Sequence, residues 1–145
     1  MKIAVIGATG KAGSLIAAEA RKIGPHVHVI GWTDKSADLV RRCTLALFPS
    51  IFREGLPRFL LEAAAAGKPA IAYDVRGNCD VIQHGATGAL VQPEDVDAFC
   101  SEALNLLDDP YTCQHLGAHA AGLIRQDFGI ARSVQFQVDC IRTSL

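Results

Sequence analysis

At 145 residues, 50% apolar and 20% charged, the chain fits one globular domain with a full core and is too short for two. A formal charge of -1 leaves no basic surplus for a phosphate backbone, which argues against nucleic acid as a general partner. No apolar stretch approaches the roughly 20 residues of a membrane span, and five cysteines without a C-x2-C pair (Cys43, Cys79, Cys100, Cys113, Cys140) point to a soluble protein of a reducing cytoplasm, without a disulfide framework or zinc site.

Along the chain, short β-rich apolar runs at 2–6, 27–31, 44–48, 69–73 and 88–91 read as strands. Between and after them, 11–22, 36–43, 57–66, 78–84, 96–107, 112–125 and 130–143 read as helices. Gly24-Pro25, Gly67-Lys68-Pro69 and the Gly85/Gly88 pair mark the breaks. This alternation is the pattern of an α/β domain with a parallel sheet covered on both faces. The expected arrangement is a three-layer, doubly wound sheet of about five strands in the flavodoxin-like order 2-1-3-4-5, forming a single Rossmann-like domain over 1–145.

The first turn carries glycines. Gly7-Ala8-Thr9-Gly10-Lys11-Ala12-Gly13 follows a strand and opens a helix, so Gly7, Gly10 and Gly13 stand where a tight turn and close approach of a pyrophosphate need them. Packing alone also explains glycines in such a turn. The segment MKIAVIGATGKAGSLI resembles the opening of atypical short-chain dehydrogenases, which implies NAD(P) binding, with Asp34 roughly where a ribose-binding acid falls. That resemblance covers residues 1–24 only, and the Tyr-x3-Lys pair of the family has no counterpart.

From Val27 onward the motifs are more restrictive: Pro49-Ser50, Arg53-Glu54-Gly55-Leu56-Pro57, Leu61-Glu62-Ala63, Gly67-Lys68-Pro69, Arg76-Gly77-Asn78 and Gly85-Ala86-Thr87-Gly88. Pro57 suits the first helical position, which leaves Glu54 in the preceding loop and puts Glu62 about one and a half turns into the helix. Glu62 interrupts an apolar run, and a carboxylate there is costly to bury without a partner. The free N–H groups around Gly55, Leu56 and Arg58 form an anion site at the helix start. Residues 25–145 resemble the C-terminal, donor-binding domain of retaining glycosyltransferases of GT-B architecture, with its E-x7-E signature at Glu54 and Glu62. The resemblance implies a UDP- or GDP-sugar as donor substrate with no further cofactor required. It implies Glu54 on the sugar side as the catalytic carboxylate, and Glu62 on the ribose hydroxyls.

Simpler readings stand beside these. Arg58 precedes Glu62 by four residues, the spacing of a helix-surface ion pair, and Gly77, Asn78 and Gly88 also serve plain turns. His115 and His119 share a helix face but lack a third ligand, so no metal site is expected. His26 and His28 fit a strand edge, and Cys79 has no neighbouring histidine to activate it. The Arg and Lys that hold the donor diphosphate in the GT-B family have no counterpart, and Asp80 stands where the family carries a glutamate.

Three hypotheses follow. The chain is a nucleotide-sugar-binding domain, incomplete and inactive without an N-terminal acceptor domain; or an NAD(P)-binding, dehydrogenase-like domain; or a recombined or engineered chimaera of the two pieces without activity. Under the first, Val134, Phe136, Val138 and Ile141 of the last helix dock on the domain itself or form a homodimer contact.

Overall fold

The computed structural model describes residues 3–6, 14–16, 18, 27–30, 35–52 and 55–129. Within these, the chain forms β1 (Ile3–Ile6), β2 (Val27–Ile30), α1 (Ser36–Arg41), β3 (Leu45–Phe48), α2 (Arg58–Ala65), β4 (Ala70–Tyr73), β5 (Gly88–Val91), α3 (Val96–Asp108) and α4 (Pro110–Asp127). Residues 14–16 and 18 are also helical. The last expected helix, 130–143, lies outside the described residues.

The strands form one parallel sheet in the order β2-β1-β3-β4-β5. Its register sets Ile3 beside Val27 on one side and beside Leu45 on the other. Side chains alternate across a strand, so the described strands supply two apolar surfaces. Leu45, Leu47, Ile71, Tyr73, Ala89 and Val91 join Ile16, Phe99, Leu106, Leu107 and Leu116 in one core cluster. Ala46, Phe48, Ala70 and Ala72 join Val40, Phe59, Leu60, Ala63, Val81 and Ile82 in the other. Both faces of the central strand β3 are therefore buried, which explains why it reads as an unbroken apolar run.

The helices carry their own start and stop signals. Asp95 accepts a hydrogen bond from the Ala98 amide at 2.9 Å and caps α3. Asp109 accepts from the Thr112 amide at 3.0 Å and from its hydroxyl at 2.7 Å, and Pro110 opens α4. These bonds hold the Asp109 carboxyl below its ordinary range, the Thr112 amide contributing most. At the end of α2, Gly67 adopts a φ of 69°, and the Lys68 amide donates back to Ala63 O at 2.9 Å. Helix α4 crosses this turn at Gly117, where an added Cβ would stand 2.1 Å from Gly67 O.

The sequence departs from the structure at two places. The expected helix over 78–84 is instead a series of turns. Gly77 and Gly85 take φ values of 95° and 75°, and the buried Asn78 amide donates to Tyr73 O at 2.8 Å, so local side-chain and turn geometry displaces the helix. Pro57 is the N-cap of α2 rather than its first helical residue, with an extended ψ of 112°.

Two outcomes follow for stability. Gly117→Ala forces a methyl group against a carbonyl that has no room to retreat, and should lower unfolding free energy by about 1–3 kcal/mol in urea titration. Asp109→Ala should lower the melting temperature at neutral pH. Because the folded carboxyl is depressed, its contribution is present above the ordinary carboxylate range and lost as pH falls through the folded value. The gap between wild type and variant should therefore close in acid.

Candidate functional site

In a parallel sheet whose strand order reverses, the crevice for a ligand lies beyond the carboxyl ends of the strands at the reversal. Here the chain passes from β1 to β2 on one side and then to β3 on the other, so the reversal falls between β1 and β3, whose carboxyl ends are Ile6 and Phe48. The segment leaving β3 contributes Ile51, Phe52 and Leu56, three large apolar side chains that remain exposed, before α2 begins. Gly55 is also exposed, and a Cβ there would meet nothing within 4 Å, so packing does not demand the glycine.

Helix α2 starts without a side-chain cap or an acidic residue in its first turn. The Leu60 and Leu61 amides both turn to Pro57 O, at 3.1 and 3.3 Å, which leaves the earlier amides of Arg58 and Phe59 ahead of the first intrahelical acceptor. The positive end of this helix faces the carboxyl edge of the sheet.

Glu62 lies one turn further on. Its side chain is 15% exposed, whereas the Arg58 side chain paired with it is 88% exposed. Arg58 Nε donates to Glu62 Oε1 at 2.7 Å. Ser36 Oγ donates to Glu62 Oε2 at 2.5 Å. The i,i+4 ion pair visible in the sequence is thus real, but it is half of the arrangement. A carboxylate offers about four lone-pair positions. Two are taken by these bonds.

Ser36 is the residue that sequence reasoning missed. It opens α1, which follows β2 just as α2 follows β3, so both helices start at the same edge of the sheet. No local pattern announces a contact across 26 residues. The available signal was a serine at the start of one helix and a lone carboxylate on the next helix of the same layer.

Other sequence candidates take structural roles. Asn78 is buried and ties its turn to Tyr73, although its Oδ1 and the Tyr73 hydroxyl have no hydrogen-bond partner. Burial raises the Tyr73 phenol above its ordinary value, assisted by repulsion from Cys100, Asp95 and Glu94. A Cβ at Gly88 would stand 2.2 Å from Ala70 O, so its glycine is required by strand packing. His84 accepts the Leu90 amide on Nδ1 at 3.1 Å. Burial also raises the Cys113 thiol. Tyr111, His115 and His119 form a ladder of rings along α4, with the two imidazole centroids 4.3 Å apart. Among the described residues no group of three or more metal-ligating side chains converges, and no helix is long and apolar enough to cross a membrane. Gly7, Gly10, Gly13, Asp34, Glu54, His26 and residues 134–141 lie outside the described residues.

The sequence model for glycosyl transferases group 1 matches residues 1–109, three quarters of the chain. The chain belongs to this family. EpsD of Bacillus subtilis, a protein named as a glycosyltransferase, is 34% identical over 122 residues, covering 83% of this chain and 32% of EpsD. The chain spans a third or less of the length of the curated relatives it matches. Among solved structures, HepE of Anabaena in complex with UDP superposes with a TM-score of 0.76 at 22% identity, over 99% of this chain and 40% of HepE. The C-terminal domain of a group 1 protein from Francisella tularensis superposes at 0.70 and 18% identity, over 89% of this chain and 87% of that domain. The fold of this group 1 domain is therefore that of GT-B-type glycosyltransferases, and the family match includes the glycine-bearing segment at its start.

The two partners of Glu62 should behave differently on removal. Arg58→Met deletes an exposed pair and should change stability by no more than about 0.5 kcal/mol. Ser36→Ala deletes a charge-assisted bond in a part-buried setting and should cost about 1.5–3 kcal/mol. Equal losses by urea titration would contradict this division.

Proposed function

We propose that the chain binds the nucleotide-sugar donor of a retaining glycosyltransferase, at the carboxyl edge of its sheet. In this reading the ribose hydroxyls donate to Glu62, and the amides around Gly55, Leu56 and the start of α2 receive the diphosphate. The sugar side is assigned to Glu54 by its place in the E-x7-E signature. The observation that carries the reading is the Glu62 carboxylate, withdrawn from water beside an uncapped helix start, with lone pairs to spare. The UDP and UDP-glucose complexes of HepE, which shares the fold, support a nucleoside diphosphate as ligand.

The glycine-bearing segment Gly7–Gly13 is best read within the same family. The family match begins at residue 1 and runs without a break across the boundary between residues 1–24 and 25–145, which favours a first segment native to the family over a graft from a dehydrogenase. NAD(P) is accordingly the weaker ligand hypothesis. Transfer with retention needs donor and acceptor held together across a closed cleft. The acceptor side is assigned to residues beyond this domain, from a second domain or a second copy. Donor binding, rather than transfer, is then the activity of this unit by itself. Its cysteines fit the cytoplasm.

Calorimetric titration separates the hypotheses. UDP or GDP should bind, and Glu62→Ala should abolish most of that binding. NADPH binding that survives Glu62→Ala would instead support the dinucleotide reading, and absence of all three ligands would sink the proposal.

A further inference from the structure

The two hydrogen bonds to Glu62 differ in how firmly they can hold it. Arg58 reaches Oε1 from a side chain 88% exposed, on the same helix, where water competes for both partners. Ser36 reaches Oε2 at 2.5 Å from a different helix in a part-buried setting, where little water competes. The terminal torsion of a glutamate is broad and roughly two-fold, so the side chain alone does not fix the plane of its carboxylate. One shielded bond to one oxygen does fix it.

We propose that Ser36 is a positioning residue for Glu62, and through it sets the preference of this site for a ribose over a sugar lacking vicinal hydroxyls. The inference rests on the nucleotide reading given above. Two hydroxyls on adjacent carbons donate with a fixed spacing and direction, and a carboxylate accepts both only when its plane faces them. Ser36 holds Oε2 and so fixes the plane in which the remaining lone pairs lie. Arg58 is the exchangeable partner: its guanidinium leaves or shares Oε1 when a hydroxyl arrives, because its own solvation replaces the lost bond. Without Ser36, the carboxylate is free to turn onto the guanidinium, and the diol meets a misaligned acceptor.

The test compares UDP and GDP with their 2′,3′-dideoxy counterparts by calorimetry, on wild type and on S36A, S36T, R58Q and E62Q. For whichever base binds, wild type should prefer the ribonucleotide by about a hundredfold, the worth of two hydrogen bonds to a charged acceptor at the low end of their range. S36A should lose most of that preference by weakening the ribonucleotide alone, while the dideoxy compound binds as before. S36T keeps a hydroxyl and should retain the preference. R58Q should retain it too, since water replaces the exposed guanidinium at Oε1 at little cost. A wild-type preference in S36A, or an equal loss in R58Q, overturns the role of Ser36. If E62Q keeps the full preference, or wild type shows none or binds neither nucleotide, the nucleotide reading itself fails and Ser36 falls with it. Circular dichroism of S36A confirms that its fold is intact before the ratio is read.

Discussion

Keeping a charged carboxylate at the margin of an apolar layer requires partners, and the arrangement around Glu62 follows from that requirement. Helix α2 buries Phe59, Leu60, Ala63 and Ala64 against the sheet, so a carboxylate at position 62 sits where water is scarce. Isolated, it would carry an uncompensated desolvation cost. Ser36 and Arg58 remove that penalty, and the Ser36 bond also couples two helices that belong to different crossovers. The same bond that makes Glu62 tolerable makes it directional. On the nucleotide reading proposed above, one contact then serves both stability and recognition.

The sheet supplies the setting. Its faces are buried in two separate clusters, so α1 and α2 are pinned from below by Val40, Phe59, Leu60 and Ala63 while their starts face the carboxyl edge. On the other face Tyr73 packs edge-on against Phe99, with ring centroids 5.1 Å apart, and anchors α3. Helix α4 then closes the domain by passing over the Gly67 turn at Gly117, a contact with no room for a side chain. Rigid elements therefore hold Glu62 and Ser36, while Phe52 and Leu56 stand exposed in the segment leading to α2. Such a division suits recognition of a fixed polar group by helices and of a variable one by loops.

Much of this was legible from the chain because it is encoded locally. The alternation of short apolar runs with helical patterns gave the parallel α/β class, and Pro57 with the following apolar run gave α2 to within a residue. The Arg58–Glu62 pair is a matter of four-residue spacing. What could not be read depended on contacts distant in sequence. Ser36 meets Glu62 only after two crossovers have been built, Gly117 shows its purpose only against Gly67, and Asn78 abandons helix because the Tyr73 carbonyl lies within reach. The opening glycines taught a different lesson. A glycine turn after a first strand answers a geometric need common to many doubly wound sheets, so its wording says less about ligand than the carboxylates do.

The central claim is that a nucleoside diphosphate occupies the carboxyl edge beside the start of α2. Hydrogen–deuterium exchange with and without saturating UDP or GDP tests it most directly. Amides of residues 55–62 and those around Ser36 should exchange more slowly with ligand bound, while α3 and α4 remain unchanged. Protection confined to the amino edge of the sheet or to α4, with none at 55–62, would contradict the account.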